Sequence, residues 1–200
     1  MIVLPRPESM GSKPLEEVLK NRRTVRSFAT TPLTLSQLSQ LLWASYGISD
    51  SQHGRRTPPS AGALYPLVVY VAVGEGGVRQ LGSGVYGYIP ARHALEMNAS
   101  GDRRKGLADA SLWQTWMAEA PAMVIIVAEY ERTTQKYGQR GIRYVHMEVG
   151  HVAENLLLQC VAMGLGAAVV GAFSDDEVSE AAGLPLHHEP LLIVPVGQAR

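Results

Sequence analysis

Cysteine is almost missing from this chain of 200 residues: Cys160 stands alone. One thiol excludes an intramolecular disulfide and a thiolate zinc cluster, and it suits a reducing compartment, for which the cytoplasm is the expectation. Net charge is missing too. Eighteen Lys and Arg balance eighteen Asp and Glu, so no global field gathers nucleic acid or an anionic membrane, and any anion site must be local. Long apolar runs are absent. Leu67 to Val73, Ala122 to Ala128 and Leu191 to Gly197 each fall far short of the roughly 20 residues that span a bilayer, and they read as buried strands. The N-terminus breaks at Pro5 and Pro7 without the apolar stretch of a signal peptide. Several catalytic signatures are also lacking: no G-x-G-x-x-G after a strand, no P-loop, no H-E-x-x-H, no G-x-S-x-G elbow.

What is present is a core. At 46% hydrophobic and 18% charged, the chain is no disordered polypeptide, and its length suits one domain or two small ones. Pro14 opens a helical pattern with Leu15, Val18 and Leu19 on one face. Thr34 and Gln37 make a capping box ahead of Leu35, Leu38, Leu41 and Leu42. Asp50 to Gly62 is polar and rich in breakers, which predicts a loop. Strands are expected at Leu67 to Val73, within Gly82 to Pro90, at Met123 to Val127 and at Ala167 to Gly171, with a helix somewhere in Asp102 to Trp116 despite Gly106. The longest helical pattern runs from Arg140 to Met163, with Val145, Val149, Val152 and Leu156 near one face. Ser174 and Glu177 predict a second capping box, and Pro195 predicts that the last strand, Leu191 to Val196, lies at an edge or ends there. Helices and strands interleave without a βαβ beat, so the class is α+β in a single domain, residues 1–200, with an N-terminal arm over 1–13.

The histidines suggest no metal. His146 and His151 are five apart on the long helix, about 140° out of register, and His187-His188 is a loop pair without a third ligand in the sequence nearby. Cys160 reads as a buried small hydrophobe.

The informative signal is basic and local. RRTVRSF, Arg22 to Phe28, packs three guanidiniums and two hydroxyls into one short segment. Arginine's planar fork suits phosphate, and Thr24 and Ser27 add donors. A solvated helix C-terminus, where the macrodipole favours positive charge, is the other reading of the same residues.

Four further segments go with it: PPSAGALYP (Pro58 to Pro66), KYGQRGIRY (Lys136 to Tyr144), GLGAAVVGAF (Gly164 to Phe173) and PVGQAR (Pro195 to Arg200). In order and spacing the five resemble the FMN-dependent nitroreductase superfamily, and most closely its SagB-type (thiazoline/oxazoline dehydrogenase-like) branch. The likeness extends from about Leu15 to Gly197 and includes VYGYIPARHALE (Val85 to Glu96) and QTWMAEAPA (Gln114 to Ala122).

The resemblance implies a mostly antiparallel sheet flanked by helices, and a homodimer with the long helix at its interface and FMN held between subunits. It implies that Arg22, Arg23, Thr24 and Arg26 grip the flavin, Arg22 at the phosphate and Arg26 near the N1/O2 edge, where a cation favours the reduced ring. Pro59, Ser60, Ala61, Gly62, Ala63 and Leu64 match the loop that reaches FMN from the other subunit, with Ala63 where many relatives have asparagine. Val169, Val170, Gly171 and Ala172 match the segment passing beside the ring with a backbone N–H toward N5, and Arg200 matches a basic residue supplementing phosphate binding. Lys136 and Tyr137 match a pair associated with proton removal from an azoline ring, for which a desolvated Lys is suited; otherwise Lys136, Arg140 and Arg143 are a solvated helix entry. The implied activity is ping-pong hydride transfer through flavin N5, on a small molecule or a modified peptide. Two alternatives remain open: an NAD(P)H-fed reductase of nitro-aromatics or quinones, and a non-catalytic module binding a phosphorylated ligand or an acidic partner.

Overall fold

A computed structural model describes residues 1–200. Its elements are β1 (Ile2–Val3), α1 (Leu15–Asn21), α2 (Leu35–Tyr46), β2 (Ile48–Asp50), β3 (Arg55–Arg56), β4 (Leu67–Val73), β5 (Gly84–Ile89), β6 (Ala94–Ser100), α3 (Arg104–Ala110), β7 (Ala122–Ala128), α4 (Glu131–Tyr137), α5 (Arg140–Ala162), β8 (Gly166–Ala167), α6 (Asp175–Ala182) and β9 (Glu189–Gly197). Seven strands form one sheet in the order β1-β6-β5-β4-β7-β9-β8, and every pairing within it is antiparallel. The class is α+β, as the interleaving of elements predicts.

The two most apolar strands sit near the middle, paired from Leu67↔Ala128 to Val73↔Ala122. Side chains alternate across a strand. Val69, Val71, Val73, Val124 and Ile126 therefore join one core cluster with α2 and α5, while Tyr70, Ala72, Met123, Ile125 and Val127 join another with α3 and α6. Both faces are covered, which is why these strands read as unbroken apolar runs. No helix is long and apolar enough to cross a membrane.

The 23-residue α5, about 35 Å long at 1.5 Å per residue, buries Val145, Val149, Val152, Leu156 and Cys160. Burial pushes the Cys160 thiol well above its ordinary range, as expected of a core residue rather than a nucleophile. The Thr34 capping box forms: Thr34 Oγ1 accepts from the Gln37 N–H at 3.1 Å, and Gln37 Oε1 accepts from the Thr34 N–H at 2.8 Å.

Several expectations need correction. Asp50 to Gly62 is not all loop, because β3 lies within it and pairs with β2 just before it as a hairpin. The strand expected at Ala167 to Gly171 shrinks to Gly166–Ala167 plus one isolated bridge, Val170 with Ile193. Asp102 to Trp116 is helical only over Arg104–Ala110; Leu112 and Trp113 then turn left-handed, at φ +55° and +58°, before a 3-10 turn at Thr115–Glu119. The Ser174 cap is one-sided, with only the Glu177 N–H reaching Ser174 Oγ at 3.5 Å. Finally, β9 is no edge strand: it lies between β7 and β8. Pro195 is tolerated there because its carbonyl accepts from Ala168, and in an antiparallel ladder the missing donor would point the same way, toward the short β8 side rather than into β7.

Asp102 anchors the turn before α3. It accepts from the Arg104 guanidinium and from the N–H groups of Glu75 and Arg104. Burial alone would raise its pKa, but these partners hold it at about 2. The folded value lies below the unfolded one, so the stabilisation is present above about pH 4 and lost as pH falls toward 2. Asp102→Asn is expected to lower Tm at pH 7 and to lower it much less at pH 2, as read from thermal melts at both.

Candidate active site

Two clusters of the expected residues form, in different parts of the chain. The first is built where α1 ends. Beyond Asn21 the chain runs extended against two segments: the Val25 N–H donates to Ala167 O at 2.9 Å, Phe28 bridges Ala199, and the Arg200 N–H donates to Ser27 O at 3.1 Å. Gly166 permits this approach, since a Cβ there would lie 2.7 Å from Val25 Cβ. Arg200 is thereby fastened beside the Arg22–Ser27 segment rather than left as a loose end.

The guanidiniums gathered here have few acidic partners. Arg22 Nε is 3.9 Å from Glu154 and Arg200 Nη1 is 3.8 Å from Glu119. Arg23 turns back onto the carbonyls of Lys20 and Arg22, and Arg26 lies 5.9 Å from the centre of the Trp116 ring with no ion pair. Thr24 is exposed and bridges Ala167. Alongside runs a strip of alternating exposure: Ala168 and Val170 are buried, with their N–H groups donating to Pro195 and Ile193, whereas Val169, Gly171 and Ala172 face outward. Their N–H groups have no protein acceptor. Loosely paired cations beside free amides are a chemistry that suits an anion.

The second cluster centres on Pro59 to Leu64. A 3-10 turn at Ala61–Ala63 is closed by the Tyr65 N–H donating to Ser60 Oγ at 2.9 Å. Gly62, Ala63 and Tyr65 all take positive φ, at +64°, +53° and +49°, which is strained for the latter two. Lys136 and Tyr137, at the end of α4, close on this turn. A Cβ on Gly62 would lie 2.7 Å from the Tyr137 hydroxyl and 3.0 Å from Lys136 Nζ, so only glycine lets both groups reach across the loop. Tyr137 is half-buried and stacks edge-on to Tyr144; Lys136 is exposed rather than desolvated within the single chain. Gly62→Ala is expected to lower stability by about 1–2 kcal/mol through the left-handed backbone and to displace both side chains, as measured by denaturant midpoint and activity.

Beneath the loop lies a group that the motif reading passed over. Glu148 is 2% exposed; its Oε1 accepts from the Tyr46 hydroxyl at 2.9 Å, and that hydroxyl in turn accepts from the Leu67 N–H. Arg56 covers the Tyr46 and Tyr65 rings at 4.2 and 4.9 Å. Glu148 Oε2 has no partner, and the residue lines a crevice of about 240 Å³ with Pro59, Ser60, Ala61, Tyr144, Met147 and His151. Burial pushes its carboxyl up, against the opposing pull of Ser60, Tyr46 and Arg56. A signal existed in the sequence: Glu148 falls on the apolar stripe of α5, between Val145 and Val152, where a carboxylate has no reason to be unless it is used or paired.

No hydrogen bond or ion pair joins the two clusters. On α5 their contact points, Glu154 and Glu148, are separated by about 9 Å along the axis and about 120° around it. The two clusters form separately rather than as one closed pocket.

The Nitroreductase family model matches residues 19–198. The chain belongs to the nitroreductase family. It is thereby an oxidoreductase, and its sheet and helices are the nitroreductase fold. A Methanocaldococcus jannaschii protein provisionally named a nitroreductase is 50% identical over 92% of this chain and 90% of its own length. The solved structure of a provisionally named nitroreductase from Ralstonia eutropha superposes with a TM-score of 0.87, at 33% identity, covering 100% of this chain and 89% of that one. The Escherichia coli microcin B17-processing protein McbC is 28% identical over 81% of this chain, which spans 61% of McbC.

Two histidine expectations resolve differently. His146 on α5 is satisfied, its Nε2 2.7 Å from the Tyr130 hydroxyl. His187-His188 is not without a third ligand, because the sheet brings Glu129 beside the pair; the sequence separation of Glu129 concealed it.

Proposed function

We propose that this chain is an FMN-dependent oxidoreductase of the SagB-type dehydrogenase kind, moving hydride by a ping-pong mechanism as a homodimer with each flavin at the seam. The observation that carries this reading is the division of the site: an anion-binding surface at Arg22 to Arg26 and a strained loop with Lys136 and Tyr137, which no hydrogen bond or ion pair joins within one chain. A two-fold partner would bring one half against the other.

The residues of the first half fit a flavin mononucleotide. Arg22 and Arg200 would hold the phosphate, and Thr24 would add a hydroxyl, with Arg23 supporting the backbone turn through its two carbonyl contacts. Arg26, which has no ion pair, would neutralise charge at the ring edge. Val169, Gly171 and Ala172 present free N–H groups and little side-chain bulk to a flat ring, anchored by the buried Val170. Bound FMN supplies a hydride acceptor that no side chain can provide. From the partner, Pro59, Ser60, Ala61, Gly62, Ala63 and Leu64 would close over it, with Lys136 and Tyr137 following the loop and taking the proton that leaves as hydride departs. Burial between two copies would desolvate Lys136. The substrate class is a C–N bond in a small molecule or modified peptide, in keeping with a relative named for processing microcin B17.

The test is the visible spectrum of the purified protein together with its mass under native conditions. Yellow protein with one FMN per chain in a dimer supports the reading; a colourless monomer that FMN cannot reconstitute removes it and favours the phosphate-binding module. Rapid bleaching of bound flavin by NADPH would assign the NAD(P)H-fed reductase instead of the dehydrogenase.

A further inference from the structure

At the end of the central ladder, β7 and β9 bring a further set of polar groups together, distinct in its residues from the two clusters above. Their ladder ends at Ala128↔Glu189, so the next residue of one strand, Glu129, stands opposite the residue before the other, His188. One ligand atom from each of Glu129, His187 and His188 lies within 4.8 Å of the others. His188 is 9% exposed and its ring is held at both ends: Nδ1 is 2.8 Å from the Tyr70 hydroxyl and Nε2 is 3.0 Å from Glu129 Oε1. A tyrosine hydroxyl accepts as well as it donates, so Tyr70 fixes the imidazole in either tautomer. Arg132 takes Glu129 Oε1, and Oε2 carries no hydrogen bond. His187 is exposed on the turn, its ring 4.5 Å from that of His188.

We propose that Glu129, His187 and His188 form a binding site for a late first-row divalent cation, zinc foremost. Two imidazole nitrogens and one carboxylate oxygen suit a tetrahedral ion whose fourth position is left to water. Tyr70 plays the part that an outer hydrogen bond plays for a ligating histidine, orienting the ring so that Nε2 faces the ion. Binding at Nε2 displaces the proton shared with Glu129 Oε1: from a charged imidazole it goes to solvent, and in a neutral ring it passes to Nδ1, where the Tyr70 oxygen accepts it. The ion would pin the turn between α6 and β9 to the end of the central strand β7.

The experiment is titration of chelator-treated, dialysed full-length protein with Zn²⁺ by calorimetry, and with Co²⁺ by visible absorption. The expected result is one equivalent per chain, the intense visible bands of four-coordinate cobalt, and a rise in Tm on saturation. His187→Ala, on an exposed turn where folding is not at stake, and Glu129→Gln should each weaken binding at least tenfold, while His53→Ala should leave it unchanged. Binding that is substoichiometric, or indifferent to His187→Ala, would overturn the site and mark the ion as adventitious. Flavin content is read alongside: the metal site stands or falls independently of it.

Discussion

Lys136→Met is expected to lower kcat for oxidation of a C–N substrate by about 10²–10⁴-fold, the usual contribution of a positioned proton acceptor, while bound flavin stays at its wild-type level. The two outcomes separate because Lys136 touches the Pro59–Leu64 loop across Gly62 and makes no hydrogen bond or ion pair with the Arg22 segment. Methionine keeps the length of the stem and removes the amine. Lys136 forms no ion pair, so no buried carboxylate is orphaned and Tm should hold. Steady-state kinetics with a thiazoline or oxazoline substrate, beside the flavin absorbance of each preparation, checks the prediction. An unchanged kcat with flavin in place would remove Lys136 from the chemistry and leave it as a solvated helix end.

Arg22→Ala combined with Arg26→Ala is expected to raise the FMN dissociation constant by at least about 10²-fold and to give nearly colourless protein. Each charge-assisted hydrogen bond contributes about 1.5–3 kcal/mol, or roughly ten- to 150-fold in affinity. Arg22→Lys should fall between, because it retains the charge and loses the planar fork. Stability is a clean control. The Arg22–Glu154 pair is 3.9 Å long with side chains 35% and 48% exposed, and such pairs contribute little; Arg26 has no ion pair at all. Fluorescence titration with FMN at two salt concentrations, beside a thermal melt, distinguishes lost binding from lost fold. Equal flavin affinity in the double variant would show that these arginines are only a solvated helix terminus.

Much of this is legible in the sequence. The unbroken apolar runs of Leu67–Val73 and Ala122–Ala128, period 3.6 in α5 and the Thr34–Gln37 box each depend on neighbours a few residues apart, and each element forms. The errors have a common cause. Pro195 was misleading because a proline announces a missing donor without saying which side of the strand it faces, and the answer depends on Ala168 and β8. Val169 and Val170 have strand propensity, yet only Val170 finds a bridge partner, since pairing requires a second strand and not merely β-branched side chains.

The chain's order of residues alone determined the α+β class, the apolar strands and central helix, and the presence of a local arginine cluster, because periodicity and charge density are properties of nearby residues. Tertiary structure decided the rest: that the arginines lie beside free amides, that Lys136 and Tyr137 close on Gly62, that Glu148 is buried with one oxygen unpartnered, and that Glu129 meets two histidines. Those juxtapositions join residues tens of positions apart, and only sheet register and helix packing bring such residues within a hydrogen bond of each other.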